Sequence, residues 1–188
     1  MIPPDTTIVS KRLRLRHCSI SDIPFVLSAS KHEGFCDGMK WEPPQTEEEL
    51  LAPYEDNEQS WRAGSAYTFT LETLSTGEPI GRIAIRHQDA SVWNVGFWTH
   101  PEHQRMGYMT EASRALIHFG FTHLAATEIQ AAHATWNVAS RRVLEKSGLR
   151  FIKHLPEGFQ KKGKWVAEDL LSITFEQWRQ MPESAGTL

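Results

Sequence analysis

Two hydrophobic periods meet across a short turn near the middle of this chain, and that junction constrains the fold more than any other stretch. Val92-Trp93-Asn94-Val95-Gly96-Phe97-Trp98-Thr99 reads as a strand. Ala112, Ala115, Leu116 and Phe119 recur at i, i+3, i+4 and i+7, the stripe of an amphipathic helix. Between them runs His103-Gln104-Arg105-Met106-Gly107-Tyr108-Met109-Thr110-Glu111. A strand that turns straight into a helix leaves the first helical amides unpaired. Those donors, with the positive end of the helix dipole, suit a phosphate. The glycine also has a plainer role, relief of the turn, so this junction alone does not decide between the two.

A second segment adds weight to the phosphate reading. Asn137-Val138-Ala139-Ser140-Arg141-Arg142-Val143-Leu144-Glu145-Lys146-Ser147-Gly148-Leu149 opens on a residue with N-cap chemistry, pairs Arg141 with Glu145 at i, i+4, and places Gly148 where a left-handed C-terminal cap belongs. Glu128-Ile129-Gln130-Ala131-Ala132 before it looks like another strand. The order strand, Gln-x-x-Gly turn, helix, strand, Asn-x-x-Ser helix resembles the GNAT superfamily of N-acetyltransferases. Gly-Tyr-x-Thr-Glu-Ala, then Asn-x-x-Ser-x-x-Val-Leu-Glu-Lys-x-Gly-Leu, is most similar to its Rim-type branch, which acetylates the N-terminal amine of ribosomal proteins. Many relatives use other amines.

The resemblance implies a mixed α/β (α+β) GNAT fold: a central, mostly antiparallel sheet with one splayed parallel pair, helices on both faces, and acetyl-CoA wedged into the splay. It implies that the turn Gln104, Arg105, Met106, Gly107, Tyr108, Met109 and Thr110 binds the diphosphate through backbone amides and the Thr110 hydroxyl. Phe97, Trp98 and Thr99 would offer backbone groups to pantetheine and to the thioester carbonyl, as an oxyanion stabiliser. Asn137 would bond the pantetheine amide, and Ser140 would touch the sulfur and protonate the departing thiolate. The two cysteines, Cys18 and Cys36, lie outside these motifs, so direct transfer in a ternary complex is expected rather than an acetyl-cysteine intermediate.

The base is less plain. Asn94 stands where Rim-type relatives often carry Glu, and an amide takes no proton at neutral pH. His133 is the first replacement, with His100 and His87 behind it. A site with a weak base should favour an acceptor that is already partly neutral. An α-amine has a pKa of about 7.7–8.0 and a lysine about 10.4, so an α-amine, such as a ribosomal-protein or peptide N-terminus, is expected. A small amine (amino acid, polyamine or toxin) and a CoA-binding regulatory module without catalysis are the competing readings. Met109 replaces a small residue of the usual loop, so either its side chain points away from the diphosphate or the loop is altered. Trp41 and Trp61 border the acceptor groove in this family and are candidates to line it.

The chain has 188 residues with a net charge of -3, which argues against general nucleic-acid binding. Its length suits one domain over residues 1–180, followed by a flexible tail at 181–188. Two cysteines without CxxC spacing, and no apolar run long enough for a membrane span, suggest a cytoplasmic protein. His100-Pro101-Glu102-His103 has no distant partner at ligand spacing, so no metal is expected, and the protein is expected to be a monomer or homodimer. Alternation predicts strands at residues 12–16, 66–72 and 79–87. A capping box, Thr46-Glu47-Glu48-Glu49, is expected to start a helix that runs to Trp61, and Ser19 or Ser21 to cap one before it. Pro156-Glu157-Gly158 is read as the loop between strands at residues 151–155 and 165–175.

Overall fold

A computed structural model describes residues 2–182. Eight strands form one sheet in the order β1 (Ile8–Val9), β2 (Leu13–His17), β3 (Ala66–Thr73), β4 (Pro79–Asp89), β5 (Val92–Thr99), β6 (Glu128–Ala134), β8 (Lys164–Thr174) and β7 (Arg150–Lys161). Every neighbouring pair is antiparallel except β5–β6. The helices are α1 (Ile23–Ser30), α2 (Leu51–Ala63), α3 (Tyr108–His123), α4 (Val138–Lys146) and α5 (Phe175–Arg179).

Alternation along each strand sorts the side chains onto two faces. One face carries Leu13, Leu15, Phe69, Leu71, Ile83, Ile85, Val95, Ile129 and Ile173, which bury against Ala112, Ala115, Leu116 and Phe119 of α3. The helical stripe expected from the sequence is thus the one that seals the core. Each such aliphatic side chain contributes on the order of 1.5–3 kcal/mol when fully buried. The other face carries a smaller cluster of Cys18, Ile23, Val26, Leu50 and Tyr54, against which Phe25, Trp41 and Trp98 pack. The α1–α2 loop belongs to that second face: Lys161 Nζ donates to the carbonyls of Met39 (3.1 Å) and Trp41 (2.6 Å), tying the loop to the β7–β8 hairpin.

The parallel pair is the feature that makes a site. β5 and β6 are in register only over Val92–Glu128, Trp93–Ile129 and Asn94–Gln130. Beyond Asn94 they diverge, so the last five residues of β5 have a strand partner on the β4 side only.

Several expectations need correction. The Thr46 capping box does not form. Glu47 caps a short 3-10 turn, Glu48–Leu50, with no side-chain bond, and Glu49 Oε2 instead accepts from Gln45 N at 3.1 Å. Ser19 does form a capping box, with Asp22. Residues 156–158 are not the loop: β7 runs through them with a register shift between Leu155 and Phe159, and the hairpin turns at Lys162 (φ 49°) and Gly163 (φ 74°). Two consecutive left-handed residues give the two-residue turn whose twist matches a hairpin, and Pro156 is tolerated because β7 is an edge strand. Phe175 begins α5 rather than ending a strand, because Thr174 and Gln177 form a capping box there. Trp61 lines no groove; it is 1% exposed, packed on Tyr67 and Phe69. Met181, where the tail is expected to begin, packs against the main core; the rest of the expected tail, residues 183–188, lies outside the described residues. Among the described residues no helix is long and apolar enough to cross a membrane.

Candidate active site

At the mouth of the splay, residues 104–110 make an exposed turn into α3. Arg105 (φ 64°) and Gly107 (φ 77°) are both left-handed, and Gly107 is the N-cap of α3. Left-handed residues alternating with ordinary ones turn successive N–H groups towards one concavity, which suits an anion. No side chain caps this helix start, so its amides remain available. Met109 is 5% exposed and belongs to the α3-side core, so its bulk leaves the concavity free, the first of the two expected alternatives. Gln104 Nε2 donates to Thr99 O at 3.4 Å, which holds the turn against the end of β5. Met106 and Arg105 are exposed, and Tyr108 and Thr110 half-buried.

Along β5, His100 N donates to Ile80 O on the β4 side. Alternation then turns the backbone groups of Phe97 and Thr99 the other way, into the splay, and those of Trp98 towards β4. Trp98 therefore differs from its two neighbours. Its ring lies on the α1 face, 5.5 Å from the Phe25 ring and 5.3 Å from that of Phe35.

On the far side of the splay, Asn137 caps α4, its Oδ1 accepting from Ser140 N at 3.0 Å. Its amide Nδ2 faces the α1–α2 loop, where a β-carbon on Gly38 would come within 3.1 Å. The Ser140 hydroxyl makes no hydrogen bond among the described residues, unlike Ser147, which donates back to Val143 O at 2.8 Å. A helix serine that is not bonded to its own backbone is free for a ligand.

His133 is 4% exposed. Its Nδ1 bonds Ala134 O at 2.8 Å, while Nε2 is buried without a partner. With the proton on Nδ1, the orphan is a lone pair. Alternation with Ile129 and Ala131 puts this ring on the α3 face. His87 lies at the other end of the sheet, bonded to Ala90 O at 2.7 Å. His100 is buried, with Nδ1 accepting from Glu102 N and Nε2 3.2 Å from Ser28 Oγ; burial holds its pKa below the usual value. Neither ring faces the splay. Asn94 sits at its base, paired with Arg86 and Gln130.

Sequence reasoning missed Glu168. It stands opposite Ala134 on β8, on the face of the α1–α2 loop, is 9% exposed and makes no hydrogen bond or ion pair among the described residues. Burial raises its carboxyl pKa, offset in part by Lys40 and His133. A carboxyl that is largely buried and makes no hydrogen bond is costly to ionise and marks a place where a ligand's proton or charge belongs. In sequence, Glu168 is one of 23 acidic residues, within a strand that carries no motif. Its neighbours across the fold were the only signal. The described residues contain no group of three or more His, Cys, Asp or Glu placed to hold a metal.

The cofactor fits these residues on two observations: the uncapped helix start and the orphaned Nε2 of His133 beside the splay. Comparison with known proteins agrees. Residues 12–150 match the acetyltransferase (GNAT) domain model. The chain is 27% identical over 178 residues to the uncharacterised N-acetyltransferase YnaD of Bacillus subtilis, covering 91% of this chain and 98% of YnaD. Its fold is shared with RimL, a ribosomal L7/L12 α-N-protein acetyltransferase solved with coenzyme A (TM-score 0.82, 16% identity, 92% of this chain and 99% of RimL). It is likewise shared with Mycobacterium smegmatis RimJ bound to CoA-disulfide (TM-score 0.80, 23% identity, 93% of this chain and 89% of RimJ). With a family model spanning most of its length and the fold to match, the chain belongs to the GNAT family and is an N-acetyltransferase.

Proposed function

We propose that this protein, as a Rim-type enzyme, transfers an acetyl group from acetyl-CoA to an α-amine, with a ribosomal-protein or other peptide N-terminus as the acceptor. The observation that carries the reading is the splay itself: free amides at its mouth, and the Glu168 carboxyl, without a hydrogen bond among the described residues, on the face of the α1–α2 loop. The backbone amides of residues 105–110 and the Thr110 hydroxyl hold the diphosphate, and the Asn137 amide bonds the pantetheine arm. Acetyl-CoA supplies the thioester that the amine attacks. The Phe97 and Thr99 backbone meets the carbonyl oxygen as negative charge develops there, worth a few kcal/mol. Glu168 accepts the proton the amine loses, directly or through one water. Ser140 gives its hydroxyl proton to the sulfur as the C–S bond breaks, and is reprotonated from solvent. His133 lines the channel, its free Nε2 accepting a hydrogen bond.

The α-amine preference rests on proton affinity. A carboxylate, even one whose pKa burial raises, is a weak base, adequate for an amine of pKa about 7.7–8.0 and poor for a lysine near 10.4. RimL, which shares the fold, acts on an α-amine. The aromatic rings of Phe25, Phe35, Trp41 and Trp98 would line the acceptor's approach.

The test is acetyl-CoA consumption with mass-spectrometric mapping. The panel holds peptides with a free N-terminus and an internal lysine, the same peptides N-terminally blocked, and small polyamines. Acetylation at the α-amine is expected. Modification of lysine or polyamine alone would overturn the acceptor assignment, and CoA binding without turnover on any amine would favour a regulatory module.

A further inference from the structure

The hairpin at the start of the fold reaches across the sheet to the cofactor turn through one side chain. Arg12 lies just before β2, more than ninety positions from that turn, yet its Nη1 donates to Met106 O at 3.0 Å. Its Nε donates to Glu111 Oε2 and its backbone N–H to Glu111 Oε1, both at 2.7 Å. Ser10 Oγ adds a third bond to Glu111 Oε1 at 2.8 Å, and the guanidinium lies 4.5 Å from the centre of the Tyr108 ring. A β-carbon on Gly107 would sit 3.6 Å from Arg12 Nη2. The side chain is therefore held on three sides by the first turn of α3 and the residues before it.

The carbonyl that Arg12 grips is the informative one. Met106 lies between the two left-handed residues, Arg105 and Gly107. A trans peptide is planar, with its C=O and the following N–H pointing in opposite directions. Fixing Met106 O on Arg12 therefore aims the Gly107 N–H away from Arg12, into the concavity of the turn. We propose that Arg12, locked by Glu111 and Tyr108, is the positioning residue that orients the Gly107 amide towards the diphosphate of acetyl-CoA. The inference rests on residues 104–110 being the diphosphate site.

The arrangement has the economy of a fork. Arginine's rigid guanidinium serves a carboxylate with one edge and a carbonyl with the other, which a lysine cannot do at once. Glu111 keeps its charge in this setting: burial works against it, but the bonds from Arg12 and Ser10 prevail and hold its carboxyl below the usual range. The pair is not a surface ion pair of small consequence, because the Glu111 side chain is only 16% exposed and receives three hydrogen bonds.

The experiment compares two donors, acetyl-CoA and acetyl-pantetheine, which lacks the diphosphate. In the unaltered protein kcat/KM should favour acetyl-CoA strongly. In Arg12→Gln that preference should fall tenfold or more, through KM for acetyl-CoA, with kcat at saturation and the KM for the amine little changed. Arg12→Lys, which keeps the charge and loses the fork, should lose most of the same preference. If Arg12→Gln does not fold, the lysine variant carries the test alone. Equal losses with both donors in either variant would overturn the assignment and leave Arg12 a structural residue. A folded, unaltered enzyme that uses both donors equally would instead remove the turn from the diphosphate site, and the inference with it.

Discussion

Gly158 makes room for Glu168. A β-carbon at Gly158 would lie 2.5 Å from Glu168 Cγ and 2.7 Å from its Oε2, closer than non-bonded atoms approach. The irregular stretch of β7 before Phe159 thus brings bare backbone against the Glu168 side chain, and a side chain there would displace it. Irregularities of this kind recur beside sites because they re-aim a side chain.

Gly158→Ala is accordingly expected to lower kcat tenfold or more while leaving the Kd for CoA within a factor of two, by steady-state kinetics and calorimetry. A methyl group that pushes Glu168 aside does not reach the α3 turn. Unchanged kcat in a folded variant would show that Glu168 has no fixed place in the reaction.

Glu168→Gln tests the carboxylate itself, and activity and stability should move in opposite directions. As a base Glu168 must be ionised, so kcat/KM should fall as pH drops through its raised pKa, and the variant should lose about 10²–10⁴ in rate along with that acidic limb. For stability, a carboxyl whose folded pKa exceeds its unfolded value binds more protons when folded. Its contribution is full below the unfolded pKa and lost as pH rises through the folded one. At pH 7–8 the ionised side chain is therefore a burden, and the glutamine variant should melt higher, by roughly 2–4 °C for each kcal/mol relieved in a chain of this size. The gap should close near pH 4. Equal melting points across that range would mean that the carboxylate is solvated after all.

The contrast between Glu168 and Ser140 explains how much of the site was legible in the sequence. Asn137, Ser140, Gly107 and the α3 stripe are local: each works through its own helix or turn, so spacing along the chain carries the information. The strands and helices followed from the same local periods, whereas the splayed parallel pair came from the family resemblance alone. Glu168 derives its character from a cross-strand partner on β6, a bare glycine on β7 and the α1–α2 loop, none of which spacing reveals. The hairpin was misjudged for a related reason. Pro156-Glu157-Gly158 has turn-forming residues, but burial of Phe159 and the pairing of β7 with β8 outweigh local preference. Trp61 failed as a groove residue because a tryptophan's large apolar area draws it into the core.

Under α1 lies a charge network that sets acid stability. Asp22, 3% exposed, accepts from Arg16 Nη2 (2.6 Å) and Nη1 (3.0 Å), Ser19 N (3.0 Å) and Thr70 Oγ1 (2.7 Å), while Arg16 Nε donates to Glu72. Burial alone would raise the Asp22 pKa, but the Arg16, Ser19 and Thr70 bonds outweigh it and hold the carboxyl below its ordinary value. Its stabilisation is thus present above the unfolded pKa and lost as pH falls through the folded one. Asp22→Ala should cost about 3–5 kcal/mol in urea denaturation at pH 7, because it leaves the buried Arg82 without its anion and Arg16 with Glu72 alone. The deficit should shrink as pH falls below about 4, where the aspartate begins to be protonated in the unfolded chain. A constant deficit from pH 7 to pH 3 would assign the loss to packing instead.

Ser140→Ala separates the leaving-group step from cofactor binding. The backbone N–H of Ser140 already serves the Asn137 cap at 3.0 Å, so alanine keeps that bond and the helix start intact. Only the hydroxyl is lost, and among the described residues it has no structural partner to forfeit. The variant should therefore melt within about 0.5 kcal/mol of the parent, the range for substitutions that break no named interaction. Its kcat should drop on the order of a hundredfold, the scale of a single general acid, with KM for acetyl-CoA little changed. A donor with a better leaving group gives the sharper readout. Replacing the CoA thioester by an activated aryl ester should restore much of the rate in Ser140→Ala if the serine protonates the sulfur, since a low-pKa leaving group needs no acid. An equal deficit with both donors would place Ser140 in substrate positioning and leave the thiolate to take its proton from water.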